Sequence, residues 1–387
     1  MTLREFPLPR GPVLDWSSFE QVDAPGISSV ENLAHTTLTT SGRAAIYQAL
    51  LQLKLLPGST VLVPTYHCPT MIAPVLLAGL KPAYFGLLGD GLPNLGMIDP
   101  AVAASSKAMI VSHYFGIANS LAEVRDWCDE YNVALIEDCA HCYFGEAGER
   151  PIGAWGDYST ASLSKFFPVS EGGLLASARR PIVALQLSRP SAKAQLKGFA
   201  DVLEIATRHQ RFSGINTALA FLFRSKNWRL PLSTHLEAAR ELTAMDIMAD
   251  CDMARITQSP LWASMILKAI LPRGRIIARR QKNFAGYAER LDGLCGARPL
   301  FPKYASQSSR IAPYVFPIWV DEPDAVYQSL REQQLPVFRW DRIWPGTPGL
   351  KGDAGPLWSH HVLQLLCHQD LFEADIERTS LALRRLL

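Results

Sequence analysis

The fold is decided by one short segment, Ala134-Leu135-Ile136-Glu137-Asp138, in which an apolar run ends in two carboxylates. Similar runs precede it at regular spacing, namely Val61-Leu62-Val63, Ala83-Tyr84-Phe85 and Met109-Ile110-Val111. Before the quoted segment, apolar residues recur at helical intervals: Leu121, Val124, Cys128 and Tyr131. Uninterrupted apolar runs favour strands buried on both faces. We therefore predict an α/β protein with a mostly parallel sheet covered by helices.

The pattern changes after residue 180. Residues 181–270 are typical of long helices with few strand signals, and Pro272-Arg273-Gly274 interrupts them. A long helix is expected from about residue 275, followed by strands at 314–320 and 337–340, a helix at 322–333 and a closing helix at 370–386. These features predict a large domain, residues 1–270, with an N-terminal segment 1–35 and the helical stretch 181–270. A smaller C-terminal α/β domain, residues 271–387, follows it.

Composition excludes several classes of function. The 387 residues include 38 basic and 36 acidic ones, a net charge of +2 that does not favour nucleic acid as a partner. The basic run between Arg273 and Lys282 is interpreted as the solvated face of a helix, with a local basic patch as the alternative. No apolar stretch approaches 18 residues, so no membrane span is expected. Seven unevenly spaced cysteines, including Cys139 and Cys142, indicate buried thiols, no metal site and a reducing cytoplasm.

Two segments are suited to binding charged parts of a ligand. Ser41-Gly42-Arg43 opens a helix expected to run to about Leu55, and the free amides at its start would suit a phosphate. Any capped helix begins in the same way, so this signal alone is weak. Asp138 ends a strand, at the edge of the sheet where ligands of α/β proteins bind, although it could instead cap the next helix.

A third segment offers a nucleophile. Ser162-Leu163-Ser164-Lys165-Phe166-Phe167 follows an expected strand at 158–161. Burial among apolar side chains lowers the pKa of a lysine, which leaves a free amine able to attack an aldehyde. A lysine in an aromatic run can also extend to solvent from the edge of a core. Glu171-Gly172-Gly173, before another apolar run, predicts either a close backbone approach or a plain tight turn.

In this order, the segments resemble the DegT-type sugar aminotransferases, a branch of the fold type I enzymes that use pyridoxal 5′-phosphate (PLP). The resemblance covers roughly residues 35–180, and residues 275–387 more loosely. The matching segments are 41–45, 57–58, 63–64, 79–82, 113–116, 137–141, 153–157, 162–165, 171–173, 279–284 and 368–371.

The resemblance implies roles for these residues. Lys165 would hold PLP as a Schiff base and carry a proton between substrate and cofactor, and Asp138 would pair with the pyridine nitrogen. His141 would lie near the ring hydroxyl, and Ser162, Gly42 and Arg43 would bind the phosphate. The family acts as homodimers with shared active sites. It typically moves an amino group from glutamate to a nucleotide-linked keto-sugar, in the synthesis of polysaccharides, glycolipids or secondary metabolites.

Several departures from the family pattern bear on function. Arg43 replaces a threonine, Lys165 follows Ser162 by three residues instead of five, and Cys68 takes the place of the aromatic residue that covers the cofactor ring. Tyr66 or His67 is therefore expected to cover the ring. The alternatives are a non-catalytic regulatory or assembly protein of the same fold, and a PLP-dependent sugar enzyme of another reaction type. Dehydrating relatives carry His in place of the lysine, so Lys165 counts against dehydration.

Overall fold

The computed structural model describes residues 8–24, 26–223, 243–306, 310–335 and 337–387. Its strands are β1 (His35–Thr39), β2 (Thr60–Pro64), β3 (Lys81–Phe85), β4 (Ser106–Ser112), β5 (Ala134–Asp138), β6 (Glu146–Ala147), β7 (Arg150–Pro151), β8 (Tyr158–Ser162), β9 (Gly173–Ser177), β10 (Ala297–Pro299), β11 (Val315–Val320), β12 (Val337–Phe338) and β13 (Val362–Leu366).

The α-helices are α1 (Gly42–Gln52), α2 (Pro69–Leu77), α3 (Pro100–Ser105), α4 (Ala122–Glu130), α5 (Ala192–Arg208), α6 (Asn216–Phe223), α7 (Ala244–Asp250), α8 (Trp262–Ile270), α9 (Arg273–Arg290), α10 (Pro323–Glu332), α11 (Gly355–His361) and α12 (Glu373–Leu386). Single turns of 3₁₀ helix lie at Trp16–Phe19, Val30–Asn32, Leu95–Met97, Tyr114–Gly116, Leu163–Lys165 and Pro302–Ser306.

In the described part of the chain, seven strands form a central sheet in the order β1-β9-β8-β5-β4-β2-β3. Strand β9 is antiparallel to both neighbours, and the remaining pairs are parallel. Successive residues of β5 belong to different cores: Leu135 to the core on one face and Ile136 to the core on the other. Because β5 is covered on both faces, its sequence is apolar without alternation up to Ile136, and the predicted mostly parallel sheet is confirmed.

A smaller α/β unit follows at the C-terminal end. Four strands, counted over the described residues, form an antiparallel sheet in the order β10-β11-β13-β12. Helices α9, α10 and α12 pack beside it, with Phe284 of α9 against Phe316 of β11 at 4.9 Å between ring centroids. A smaller C-terminal α/β domain is thus confirmed, whereas its boundary between residues 270 and 271 stays a prediction.

Most predicted elements are present with shifted ends. Helix α1 ends at Gln52 rather than near Leu55, and strand β12 covers only Val337–Phe338 of the expected 337–340. Where it is described, the stretch 181–270 contains the helices α5 to α8, joined by turns and irregular segments. The basic run in α9 differs from its interpretation as a solvated face. Arg275 is 5% exposed and Arg280 is fully buried. The guanidinium of Arg275 contacts Asp370, and that of Arg280 contacts Gln369.

Candidate active site

A cavity of about 620 Å³ opens at the carboxyl ends of the central strands. Ser112, Asp138 and Ser162 are the last residues of β4, β5 and β8, and all three line it. Parallel strands end at the same edge of a sheet, so residues distant in sequence meet there. The cavity also contains Gly42, Arg43, His141 and Lys165, so it brings together six of the eight site residues predicted from sequence.

Lys165 lies in the 3₁₀ turn that follows β8. The turn is closed by the carbonyl of Leu163, which accepts from the amides of Phe166 at 2.9 Å and Phe167 at 2.8 Å. The Lys165 ammonium position is 5.1 Å from the centre of the Tyr314 ring. Burial lowers the pKa of Lys165, while the charges of Asp138 and Cys68 act in the opposite direction. The net effect favours the neutral amine, the form that attacks a carbonyl carbon.

Asp138 is the carboxylate that faces the cavity. Its Oδ1 accepts from the amide of Ala140 at 3.0 Å and from the hydroxyl of Thr160 at 3.4 Å. Asp138 therefore caps the turn after β5 and also lines the cavity. Burial raises the pKa of this carboxyl, and the charge of Lys165 lowers it.

The adjacent Glu137 has a structural position. Its two carboxylate oxygens accept from the amides of Gly153, Trp155 and Gly156 and contact Nε2 of His113 at 3.0 Å. Ligand atoms of His113, Glu137 and Cys139 lie within 4.8 Å of one another, a spacing that a metal could use. The Glu137 oxygens are already engaged by these donors, so the group is better explained as a satisfied buried network.

The first turn of α1 borders the cavity. The Ser41 side chain caps the helix by accepting from the amide of Ala44, while the amides of Gly42 and Arg43 lie in the first turn, where no earlier helical carbonyl precedes them. A Cβ atom at Gly42 would lie 3.4 Å from Cβ of Ser162 and 3.9 Å from Cβ of Ala140. All three residues line the cavity, so the missing side chain leaves space within it.

The Glu171-Gly172-Gly173 segment makes the close backbone approach that was one of its two predicted roles. A Cβ atom at Gly173 would lie 2.2 Å from the carbonyl oxygen of Ser41. The amide of Gly172, with φ of 123°, donates to the carbonyl of Thr40 at 2.7 Å. Glycine is therefore required here because β9 begins directly against the capping residue of α1.

The Arg43 side chain points away from the first turn of α1 and towards the rim of the cavity, where Asp252 lies. Its guanidinium contacts the carboxylate and the carbonyl of Asp252, each at 3.1 Å. Arg255 lies at the same rim and pairs with Glu171 at 2.7 Å. Asp252, Arg255 and Lys197 were not singled out from sequence, because they belong to the helical stretch in which no motif was recognised.

His141 forms part of an aromatic wall. Its ring stacks on Tyr314 at 4.4 Å and lies 4.7 Å from Trp340, and its Nδ1 accepts from the amide of Phe115 at 3.3 Å. Burial and the nearby Lys165 hold the pKa of His141 well below its ordinary value. A neutral ring whose Nδ1 accepts carries its proton on Nε2, which is then available as a donor.

Tyr66 and His67 lie outside the cavity. Tyr66 is fully buried among aromatic rings, including Tyr114 at 5.3 Å, and its hydroxyl accepts from Gln364. His67 donates from Nδ1 to the carbonyl of Pro64 and accepts at Nε2 from the amide of Trp344, and burial lowers its pKa to about 4. Cys68 and, from the C-terminal domain, Trp340 line the cavity instead.

Comparisons with known proteins agree with this architecture. The sequence model of the DegT/DnrJ/EryC1/StrS aminotransferase family matches residues 27–184. The predicted resemblance to this family is confirmed over that segment, which is less than half of the chain.

Two curated relatives and one solved structure show the extent of the likeness. GDP-perosamine synthase of Vibrio cholerae is 29% identical over 146 residues, which are 37% of this chain and 40% of that protein. The UDP-4-amino-4-deoxy-L-arabinose--oxoglutarate aminotransferase of Shewanella sediminis is 29% identical over 36% of this chain and 37% of that protein. The matches thus span less than half the length of these relatives.

The structural likeness extends over the whole chain. Helicobacter pylori PseC, an aminotransferase involved in the biosynthesis of pseudoaminic acid, has a TM-score of 0.62 and 13% identity, and 99% of each chain is covered. This confirms the predicted fold type I architecture. No helix among the described residues is both long and apolar enough to span a membrane.

Proposed function

We propose that this protein is a PLP-dependent aminotransferase that moves an amino group from glutamate to a keto-sugar, with the sugar carried on a nucleotide. The observation that supports it most is the presence of the Lys165 amine and the Asp138 carboxylate in one cavity, at the ends of neighbouring strands, where burial lowers the pKa of Lys165 and raises the pKa of Asp138. A neutral amine and a carboxylate held in place are the two groups that PLP chemistry requires of a protein.

The cavity suits PLP in shape as well as in chemistry. The space left by the missing side chain of Gly42, together with the Ser162 and Ser164 hydroxyls 3.4 Å apart, is suited to a phosphate. The α1 amides of Gly42 and Arg43 add partial positive charge to the same place. Arg43 would act through its amide rather than its side chain, because Asp252 already engages the guanidinium.

Each residue would have a distinct task. When bound, PLP supplies a ring that withdraws electrons from the reacting carbon. Oδ2 of Asp138 would accept from the ring nitrogen, since Oδ1 is engaged by Ala140 and Thr160. Nε2 of His141 would donate to an oxygen of the ligand. Nζ of Lys165 would take a proton from the donor's carbon in the half-reaction with glutamate and would give one to the acceptor's carbon in the second, a role that needs the neutral amine for the first transfer.

The substrate assignment rests on the relatives. The two curated relatives are named for an amino sugar and for oxoglutarate, the product that glutamate leaves after giving up its amine. Trp340 and His141 provide flat surfaces in the same cavity, and such surfaces suit the C–H face of a sugar ring. The biosynthesis of a polysaccharide, a glycolipid or a secondary metabolite is therefore the proposed setting.

We also propose that the protein acts in the cytoplasm as a homodimer. All seven cysteines are free thiols, which is consistent with a reducing compartment. The family resemblance supports a homodimer, in which the partner would complete the site.

The half-reaction with glutamate tests the proposal. The PLP-loaded protein is mixed with glutamate and the 2-oxoglutarate released per chain is measured, with Lys165→Ala as control. The wild type should release about one equivalent while its absorbance band moves from roughly 410–430 nm to about 330 nm. The half-converted protein is then supplied with nucleotide-linked keto-sugars, and a return of the first band identifies an acceptor. Bound PLP that glutamate leaves unchanged would reject the proposed donor, and a protein that binds no PLP would favour the non-catalytic alternative.

A further inference from the structure

The turn that carries Lys165 leaves two carbonyl groups, one partly and one fully buried, without a partner in the turn itself. The amides of Phe166 and Phe167 both donate to the carbonyl of Leu163, so the carbonyls of Lys165 and Phe166 must be satisfied from elsewhere. The guanidinium of Arg280 donates to the carbonyl of Lys165, and the side-chain amide of Gln369 donates to the carbonyl of Phe166 at 2.7 Å. Both donors come from the C-terminal domain, whereas the turn belongs to the central sheet.

Arg280 and Gln369 act as a connected pair. Nε of Arg280 donates to Oε1 of Gln369 at 2.9 Å, and its Nη1 donates to the carbonyl of Pro313 at 2.9 Å. The guanidinium carbon lies 4.4 Å from the centre of the Phe166 ring. Arg280 is fully buried and Gln369 is 1% exposed, so the geometry of both is fixed by packing.

A buried guanidinium with neutral acceptors is costly. Taking a charge out of water costs several kcal/mol unless an opposite charge compensates it. Arg275, one and a half turns earlier on α9, shows the usual solution, since it pairs with Asp370 at 2.8 Å. The hydrogen-bond acceptors of Arg280 within the described residues are instead an amide side chain and carbonyls, and burial lowers the pKa of Arg280 to about 10.

This arrangement has a geometric advantage. A guanidinium presents five donors in a rigid planar fork, so it can bridge several carbonyls at fixed angles. An apolar side chain of similar volume would pack at lower cost, but it would leave the carbonyl of Lys165 unsatisfied.

We propose that Arg280, braced by Gln369, is a positioning residue that fixes the backbone of the Lys165 turn from the C-terminal domain, so that the amine is held at the reacting atoms. The inference rests on the proposed function in one respect, that Lys165 supplies the reacting amine. The orientation of that amine then depends on how the C-terminal domain packs on the central sheet.

The protonation of the Lys165 amine can be measured in the protein without PLP. The protein without PLP is methylated with formaldehyde and cyanoborohydride across a pH series, and the modified fraction of each lysine is measured by peptide mass mapping. In the wild type, Lys165 should be half-modified at a lower pH than the exposed Lys107. Arg280→Met should raise the pH at which Lys165 is half-modified by about one unit, because a released turn gives the amine access to water. This dependence of the modified fraction on pH is called the Lys165 profile. Gln369→Leu should move it in the same direction by less.

Arg275→Met is the matched control, because it removes a buried arginine of the same helix that does not contact the turn. It should lower the unfolding temperature but leave the Lys165 profile in place. If Arg275→Met and Arg280→Met move the profile equally, or if neither moves it, Arg280 is structural only and the inference is overturned. Should Arg280→Met fail to fold, Arg280→Lys, which keeps the charge but not the fork, and Gln369→Leu provide the same comparison.

A parallel measurement of the PLP absorbance band separates the two proposals. A wild type that binds no PLP contradicts the proposed function, while the methylation profile still tests Arg280. A wild type that binds PLP and reacts with glutamate, together with an unshifted Lys165 profile in Arg280→Met, contradicts only the inference.

Discussion

Glu137 and Asp138 are consecutive residues whose carboxylates lie on opposite faces of the central sheet. Side chains alternate along a strand, and the two preceding residues, Leu135 and Ile136, belong to the cores on the two faces. Glu137 is engaged by backbone amides and by His113, whereas Asp138 lines the cavity. One is therefore expected to act on stability and the other on chemistry.

Asp138→Asn should impair the reaction without unfolding the protein. An amide cannot hold a proton on a ring nitrogen as a carboxylate does, so the rate of 2-oxoglutarate release from glutamate should fall by roughly 10²-fold. Single-turnover kinetics measure this rate, and the exposed Asp126→Asn serves as control. A rate within twofold of the wild type would show that Asp138 has no part in the chemistry.

Glu137→Gln should act in the opposite way. Its amide nitrogen would face donors in place of an acceptor, which leaves buried amides unsatisfied. The free energy of unfolding should fall by about 3 kcal/mol. Urea unfolding measures the loss, and the exposed Glu130→Gln should be close to neutral. A stability equal to that of the wild type would contradict the structural role of Glu137.

Lys165→Met should stabilise the protein without PLP at neutral pH. Burial lowers the pKa of Lys165 in the folded state, so the unfolded chain binds the proton more tightly and protonation opposes folding. The cost is present at neutral pH and disappears as pH rises towards the unfolded lysine value of about 10.4.

Thermal unfolding should therefore show a gain for Lys165→Met at pH 7, at about 2 °C per kcal/mol recovered, that shrinks towards pH 10. Lys107→Met, at an exposed site, should show no such pH dependence. A loss of stability at pH 7 in the Lys165 variant would mean that the ammonium is well compensated in the cavity.

Gly42→Ala should weaken the binding of the phosphate group selectively. The added Cβ has ordinary contacts with Ser162 and Ala140, so the fold should tolerate it, but it fills part of the cavity. We expect affinity for PLP to fall about tenfold and affinity for pyridoxal, which lacks the phosphate, to change little. Equilibrium titration of both compounds measures this, with Gly96→Ala as control. An equal loss for the two would contradict a phosphate site at Gly42.

The sequence predicted best those features that depend on a single strand and the residues at its end. The buried parallel strands were evident because their apolar runs do not alternate, and Asp138, Ser162 and Lys165 were found because they follow those strands. Strand β1, with the sequence His-Thr-Thr-Leu-Thr, was missed because its side chains are mostly half-buried and do not give an apolar run.

The remaining site residues depend on tertiary contacts that no local pattern encodes. Trp340 reaches the cavity from the C-terminal domain, which is distant in sequence. Tyr66 and His67 precede Cys68 directly, yet they pack against Trp358 and the Trp344 amide on the other side of the loop. Arg280 belongs to a basic run typical of a solvated helix face, and only its packing against the Lys165 turn reveals the burial.

Reduction with borohydride shows whether Lys165 holds PLP, because it converts a PLP group bound to a lysine into a permanent label. The PLP-loaded protein is reduced, digested and mapped by mass spectrometry, beside a sample of Lys165→Ala treated in the same way. We expect one phosphopyridoxyl group per chain on Lys165 and none in the cavity of the variant. A label on other lysines with Lys165 unmodified, or no label at all, would contradict it.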